Sequence, residues 1–175
     1  MKKRLEEMIR VDHAGEHGAV QIYAGQKAVF AHKKGKEKTH ALLEEMEQQE
    51  QEHLAYFDEM ILKKDMRPTL LAPLWNKAGY AMGVITALMG EKAAMACTMA
   101  VEEVIDNHYQ SQIEELETID GAKPLQKTLK RFRADEQAHH DTAKAAGAEQ
   151  AKGYFFLSNG IKAACRAAIR ISEKL

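Results

Sequence analysis

Apolar residues recur at helical spacing along nearly the whole chain, and no stretch alternates apolar and polar residues as a half-buried strand would. The pattern predicts six helices, at roughly 2–33, 36–64, 69–89, 92–118, 122–148 and 154–173. "KKGKEK" separates the first two, and "KKDMRP" ends the second because proline disfavours helix at the residue before it. "DGAKP" punctuates the fourth and fifth, and "AKG" precedes the sixth. The expected fold is all-α. The 175 residues suit a single domain, 1–175, with a sizeable core.

The third predicted helix is the most apolar. Its longest uncharged run, Ala78 to Gly90, makes about 20 Å of helix, short of the ~30 Å hydrocarbon layer of a membrane. Pro73, Asn76 and Lys77 interrupt any longer version. Such a helix is expected to lie in a membrane interface, with Trp75 and Tyr80 as anchors, or to be covered by the bundle or a homo-oligomer. The sixth helix favours the membrane surface. Lys162, Arg166, Arg170 and Lys174 recur every four residues, flanked by Ile161, Ala163, Ala164, Ala167, Ile169 and Ile171.

Charge follows the same division. The net charge of −1 is a body of −5 (residues 1–150) and a C-terminal tail of +4. A small basic tail on an acidic body points to an anionic surface, and no nucleic-acid motif appears. Cys97 and Cys165 have no metal-ligand spacing and make no disulfide framework, so a reducing compartment is expected. The N-terminus lacks the apolar segment and cleavage pattern of a secretory signal.

The candidate chemistry lies in a repeat. Glu-x-x-His occurs three times, at Glu37/His40, Glu50/His53 and Glu136/His139, where chance predicts about one. The residue 34 places upstream discriminates among them. Glu16 precedes Glu50 by that interval and Glu102 precedes Glu136, whereas Lys3 stands before Glu37. Tyr23 and Tyr109 each follow the upstream glutamate by seven residues, two turns on along nearly the same face. Two helix pairs thus carry the same Glu…Tyr…Glu-x-x-His arrangement.

Four carboxylates and two imidazoles, with i and i+3 on one face, are the ligand set of a ferritin-like di-iron or di-manganese four-helix bundle. Oxygen and imidazole donors without thiolates suit iron or manganese better than structural zinc. Glu102 follows "AAMACTMAV", so a buried acid in need of partners is expected there. Glu16 sits among Ala14, Gly15 and Gly18, small residues that admit a helix or ligand. His13, His17 and His32 lack the paired spacing and are read as surface or supporting groups. Asp12, Asp106 and Asp135 are candidates to orient a histidine of the opposite pair. His140 is turned about 100° from His139 and should miss the metals.

At this point "RVDHAGEHGAVQIYAGQ", "RPTLLAPLWN", "EKAAMACTMAVEEVIDNHY", "FRADEQAHHD" and "ACRAAIRISEKL" resemble the demethoxyubiquinone hydroxylase family, the Coq7/Clk-1 proteins, over nearly the whole chain. The resemblance implies a di-iron monooxygenase that hydroxylates the ring of a polyprenylated demethoxyubiquinol with O2. It implies two iron ions held by Glu16, Glu50, His53, Glu102, Glu136 and His139. His108 and Tyr109 match a family histidine–tyrosine pair tied to electron transfer, with Asn107 standing where other members have a second histidine. It further implies NADH or another reductant, although no Gly-rich dinucleotide motif is present. A lipid-binding delivery partner and peripheral attachment to the cytoplasmic face of a bacterial inner membrane are also implied. In a eukaryote the expected place is the matrix side of the mitochondrial inner membrane. From the residues alone, a ferritin-like ferroxidase, a peroxide reductase and a membrane-associated helical scaffold stay open.

Overall fold

The computed structural model describes residues 2–174. Six helices follow in order: α1 (Lys2–Phe30), α2 (Glu37–Lys63), α3 (Ala72–Leu88), α4 (Glu91–Leu116), α5 (Lys123–Ala145) and α6 (Tyr154–Ser172). A 3₁₀ turn at Ala148–Gln150 precedes α6, and the described residues contain no strand. The all-α expectation holds.

The boundaries have local causes. Pro73 and Pro124 stand in the first turns of α3 and α5, where the missing N–H is not needed by the helix. The third helix therefore starts at Ala72, later than the periodicity predicts, after a turn in which Thr69 Oγ1 accepts from the Leu71 N–H. The fifth helix stops at Ala145, short of prediction, because Gly147 adopts a left-handed conformation (φ +91°).

α1 packs against α2 and α4 against α5, and each pair is followed by a helix that returns to its first member. α3 lies along α1, and α6 lies along α4. The α1–α3 contact is made by glycines: a Cβ on Gly83 would collide with the Ile22 carbonyl oxygen, and one on Gly25 with that of Tyr80. Gly79 faces the Gly18 carbonyl in the same way.

The core has three layers along the axis. Tyr23, Phe30, Leu43, Met46, Met95 and Met99 fill one end, and Met8, Ile9, Phe57, Ile113, Leu129 and Phe132 the other. Between them, on α1, α2, α4 and α5, lies a layer of buried acids and histidines.

Candidate metal centre

Glu16, Glu50, Glu102 and Glu136 are at most 1% exposed, and His53 and His139 are 2% exposed. Donor atoms of Glu16, Glu50, His53 and Glu136 all lie within 4.8 Å of one another, and so do those of Glu50, Glu102, Glu136 and His139. The structure thus brings the six sequence-predicted side chains into two overlapping groups. Glu50 and Glu136 belong to both. Glu16 with His53 completes one group, and Glu102 with His139 the other.

The orientation of each donor is set from outside. His53 donates through Nε2 to Asp135 Oδ2 (3.1 Å) while its ring stacks on Phe132. His139 donates through Nε2 to Gln49 Oε1 (2.6 Å), with Tyr23 edge-on to its ring. Both Nδ1 atoms therefore face inward. His53 Nδ1 is 3.2 Å from Glu136 Oε1, and His139 Nδ1 is 3.0 Å from Glu50 Oε1. The tyrosines cross between the halves. Tyr23 donates to Glu102 Oε1 at 2.6 Å, and Tyr109 donates to Glu16 Oε1.

What these contacts leave over is informative. Glu16 Oε2, Glu102 Oε2, both oxygens of Glu50 and of Glu136, and both histidine Nδ1 atoms are buried without a hydrogen-bond partner. Buried polar atoms are ordinarily satisfied, and buried charges are paired or ligate a metal. Eight such atoms converging on one space fit a pair of divalent cations, whose four positive charges would balance four carboxylates beside neutral imidazoles. The residues present fit the iron pair that the family resemblance implies.

Titration behaviour carries the same strain. Burial, with the Glu50 and Glu136 charges, pushes Glu16 and Glu102 well above the usual carboxylate range. Burial would also raise Glu50, but His139 and His53 outweigh it and hold that carboxyl at about 2. Burial opposes the charged imidazoles, yet Glu136 and Glu50 raise His139 to about 9, and His53 is raised further by Glu136, Glu16 and Glu50. Burial and the neighbouring carboxylates also lift the Tyr23 and Tyr109 hydroxyls, so both keep their protons.

Other predicted residues separate. Tyr109 touches the centre, but His108 meets Asp12 Oδ1 (3.3 Å) and Gln112 (2.9 Å) instead. Asp12 is buried, and Asp135 reaches a histidine of the opposite pair. Asp106 does not: it accepts from Arg133 and Gln137, because its position on α4 faces α5 near the surface. His140 turns away to Asp141. His13, expected at the surface or in support, is 5% exposed and held by Asp58. Sequence reasoning missed Gln49. The available signal was positional, since Gln49 precedes Glu50 as Asp135 precedes Glu136.

Beside the centre, α1, α3, α4 and α6 enclose an apolar cavity of about 200 Å³. Gly15, Gly18 and Ala14 form its α1 wall, Val101 and Ile105 its α4 wall, and Cys165 faces it from α6. Trp75 also lines it and donates to Ser172 Oγ (3.0 Å), so its indole bridges α3 and α6. Lys162, first of the basic stripe, turns inward to Glu103 (2.5 Å) and leaves Arg166, Arg170 and Lys174 exposed.

Residues 3–172 match the family model described as ubiquinone biosynthesis protein COQ7. The chain is 47% identical over 171 residues to the 3-demethoxyubiquinol 3-hydroxylase of Rhodospirillum rubrum, spanning 98% of this chain and 78% of that one. It is 46% identical over 173 residues to the mitochondrial NADPH-dependent 3-demethoxyubiquinone 3-hydroxylase of Homo sapiens, again 98% and 78%. With the mitochondrial 5-demethoxyubiquinone hydroxylase of Saccharomyces cerevisiae the identity is 42% over 184 residues, spanning 98% and 78%. Agreement across nearly the whole length means that the chain belongs to the COQ7 family of ubiquinone biosynthesis proteins.

Proposed function

We propose that this protein is a di-iron monooxygenase of ubiquinone biosynthesis that hydroxylates the ring of a polyprenylated demethoxyubiquinol. The observation that carries this reading is the pair of donor groups sharing Glu50 and Glu136 next to an apolar cavity. Glu16, Glu50, His53, Glu102, Glu136 and His139 would hold the two ions, Glu50 and Glu136 belonging to both donor groups. The chemistry that the iron pair supplies when bound is reductive activation of dioxygen.

The chain's own residues do the rest. Gly15, Gly18 and Ala14 leave room for a flat ring to approach α1 beside Glu16, and Val101 and Ile105 keep water out of the same space. Tyr109 holds its proton on Oη against Glu16 Oε1. His108, seated on Asp12, is partly exposed and offers a path for protons and electrons from outside. A nicotinamide nucleotide is the proposed reductant; the human relative is named for NADPH, and NADH is the alternative.

No helix among the described residues is long and apolar enough to cross a membrane. Exposed Leu70, Leu74, Leu88 and Met89 around α3, with Phe155 and Phe156 on α6, instead support an interfacial seat on the cytoplasmic face of a bacterial inner membrane. Arg166, Arg170 and Lys174 would meet anionic headgroups. A lipid-binding delivery partner or a second copy would use this same face. The ligand-bearing helices α1, α2, α4 and α5 are read as the ferritin-like core of one domain.

The test is turnover of iron-loaded protein with demethoxyubiquinol, reductant and ¹⁸O₂. The expected product gains one labelled oxygen. Two bound irons without ring hydroxylation would overturn the assignment, and a ferroxidase or peroxide reductase would then use the centre while leaving the cavity unexplained.

A further inference from the structure

The six ligands of the centre are sealed among four helices, so an ion must reach them along a seam between helices. Among the described residues, one other group of three or more donors has metal-binding proximity: His13, His17 and Asp58. We propose that these three form an outer divalent-metal site on the α1–α2 seam, through which ions pass to the buried carboxylates.

His13 and His17 are four residues apart on α1, so both rings lie on one face. Their centroids are 4.7 Å apart and nearly perpendicular. Asp58 reaches them from α2, with Oδ1 at 2.8 Å from His13 Nε2. One donor atom from each of the three lies within 4.8 Å of the other two. Two imidazoles and one carboxylate, with water free to fill the remaining positions, suit Fe(II), Co(II) or Zn(II).

Two further observations give the site its role. The first is a gradient of exposure: Asp58 is exposed, His17 half-buried and His13 buried, with His13 Nδ1 lacking a hydrogen-bond partner. An ion captured at Asp58 is therefore drawn inward by successive donors. The second is register. His13 precedes Glu16 by three residues, about 4.5 Å of helix rise, and Asp58 follows His53 by five, about 7.5 Å. The outer group thus adjoins the half of the centre formed by Glu16 and His53. A simple His13–Asp58 ion pair would need nothing from His17. The outer site stands without the di-iron reading, whereas its role as a relay rests on it.

The test is anaerobic Co²⁺ titration of the metal-free full chain, with bound metal counted after gel filtration. Three ions per chain are expected for the wild type, and two for both His17→Ala and Asp58→Ala. Filling of the two inner positions should slow by about tenfold or more in the variants, with their final occupancy kept. Thermal unfolding of the metal-free variants checks that they fold. The Co²⁺-loaded wild type supplies a readout independent of substitution: four paramagnetically shifted imidazole N–H resonances, from His13, His17, His53 and His139. Two ions in wild type and variants alike, with two such resonances, would overturn the outer site and leave the centre standing. One ion in the wild type and none in the variants would support the outer site and sink the centre. Three and two ions with unchanged filling rates would overturn the relay.

Discussion

Each half of the molecule is a helix pair followed by a third helix, α1–α2–α3 and then α4–α5–α6, and the two halves agree closely at the centre. Each contributes one glutamate to its own donor group, one shared glutamate, one inward-facing histidine and one tyrosine that grips the glutamate of the other half. They differ one step further out. His53 is backed by the carboxylate of Asp135 and His139 by the neutral amide of Gln49. They differ again in their third helices. α3 is drawn onto α1 by glycine contacts and presents mostly apolar side chains with one charge, Lys77, whereas α6 meets α4 through side chains such as Cys97, Ile161 and Cys165 and presents a basic edge. On the proposed function, symmetry is kept where two like cations would be held and is broken where substrate, membrane and electrons would arrive.

The largest effect should come from breaking the sharing itself. Glu136→Ala removes a donor from both groups and is expected to lose both metal ions and all hydroxylation. Glu102→Ala removes a donor from one group and should keep one ion. Metal analysis of the two purified proteins reads the difference, and equal retention would end the distinction between shared and unshared glutamates.

Next in size is the pH response of the metal-free protein. His139, raised to about 9, stabilises the metal-free fold fully below pH 6.5, and that contribution is lost as pH climbs through about 9. Glu50, lowered to about 2, contributes above pH 4.5 and loses its effect as pH falls toward 2. Each is worth on the order of 3 kcal/mol. Glu16 and Glu102, raised above the usual carboxylate range, lose their contribution as pH climbs past 4.5, so the thermal midpoint without metal should peak at about pH 4.5 and fall above it. His53, raised further than His139, should keep its proton to higher pH, and NMR titration of the two imidazoles separates the halves. Metal requires neutral imidazoles and ionised carboxylates, so the stabilisation gained on loading should grow as pH rises above that peak.

The sequence reached this buried cluster because its acids and histidines repeat within helices. An interval of 34 residues and an i, i+3 pair are properties of one chain segment and of helix geometry, so Glu16, Glu50, His53, Glu102, Glu136 and His139 could be named together. What it could not reach depends on how the helices dock. That Tyr23 serves Glu102 and not its own Glu16, or that Gln49 serves His139, follows from the crossing of two halves and leaves no spacing to read. Asp106 and Lys162 show the reverse case. Each sits at a position that satisfies a plausible helical pattern, yet a partner on a neighbouring helix, Arg133 or Glu103, takes it. The outer group of His13, His17 and Asp58 was invisible for the same reason, since Asp58 comes from another helix.

The unequal backing of the histidines is the next place to sharpen the comparison. A carboxylate partner raises the donor strength of a ligating imidazole more than an amide does. Asp135→Asn should weaken metal at the His53 position by about 10–100-fold, and Gln49→Glu should tighten it at the His139 position. Chelator competition on the two variants measures both. Equal weakening of the two positions by Asp135→Asn would show that the halves are electronically alike.

The third helices allow the finest comparison, with one substitution made twice. Gly83 on α3 and Gly160 on α6 both lie inside helices, and in a free helix alanine would be favoured at either by about 0.5–1 kcal/mol. At Gly160 no heavy atom stands within 4 Å of an added Cβ, so Gly160→Ala should realise that gain. At Gly83 the Cβ would meet the Ile22 carbonyl, and backbone cannot yield as a side-chain tip can. Gly83→Ala should therefore cost about 1–3 kcal/mol. Urea unfolding of the two variants gives both signs. A stabilised Gly83→Ala would mean that α3 rides loosely on α1, and the cavity wall those helices share would then be adjustable instead of fixed by close glycine contact.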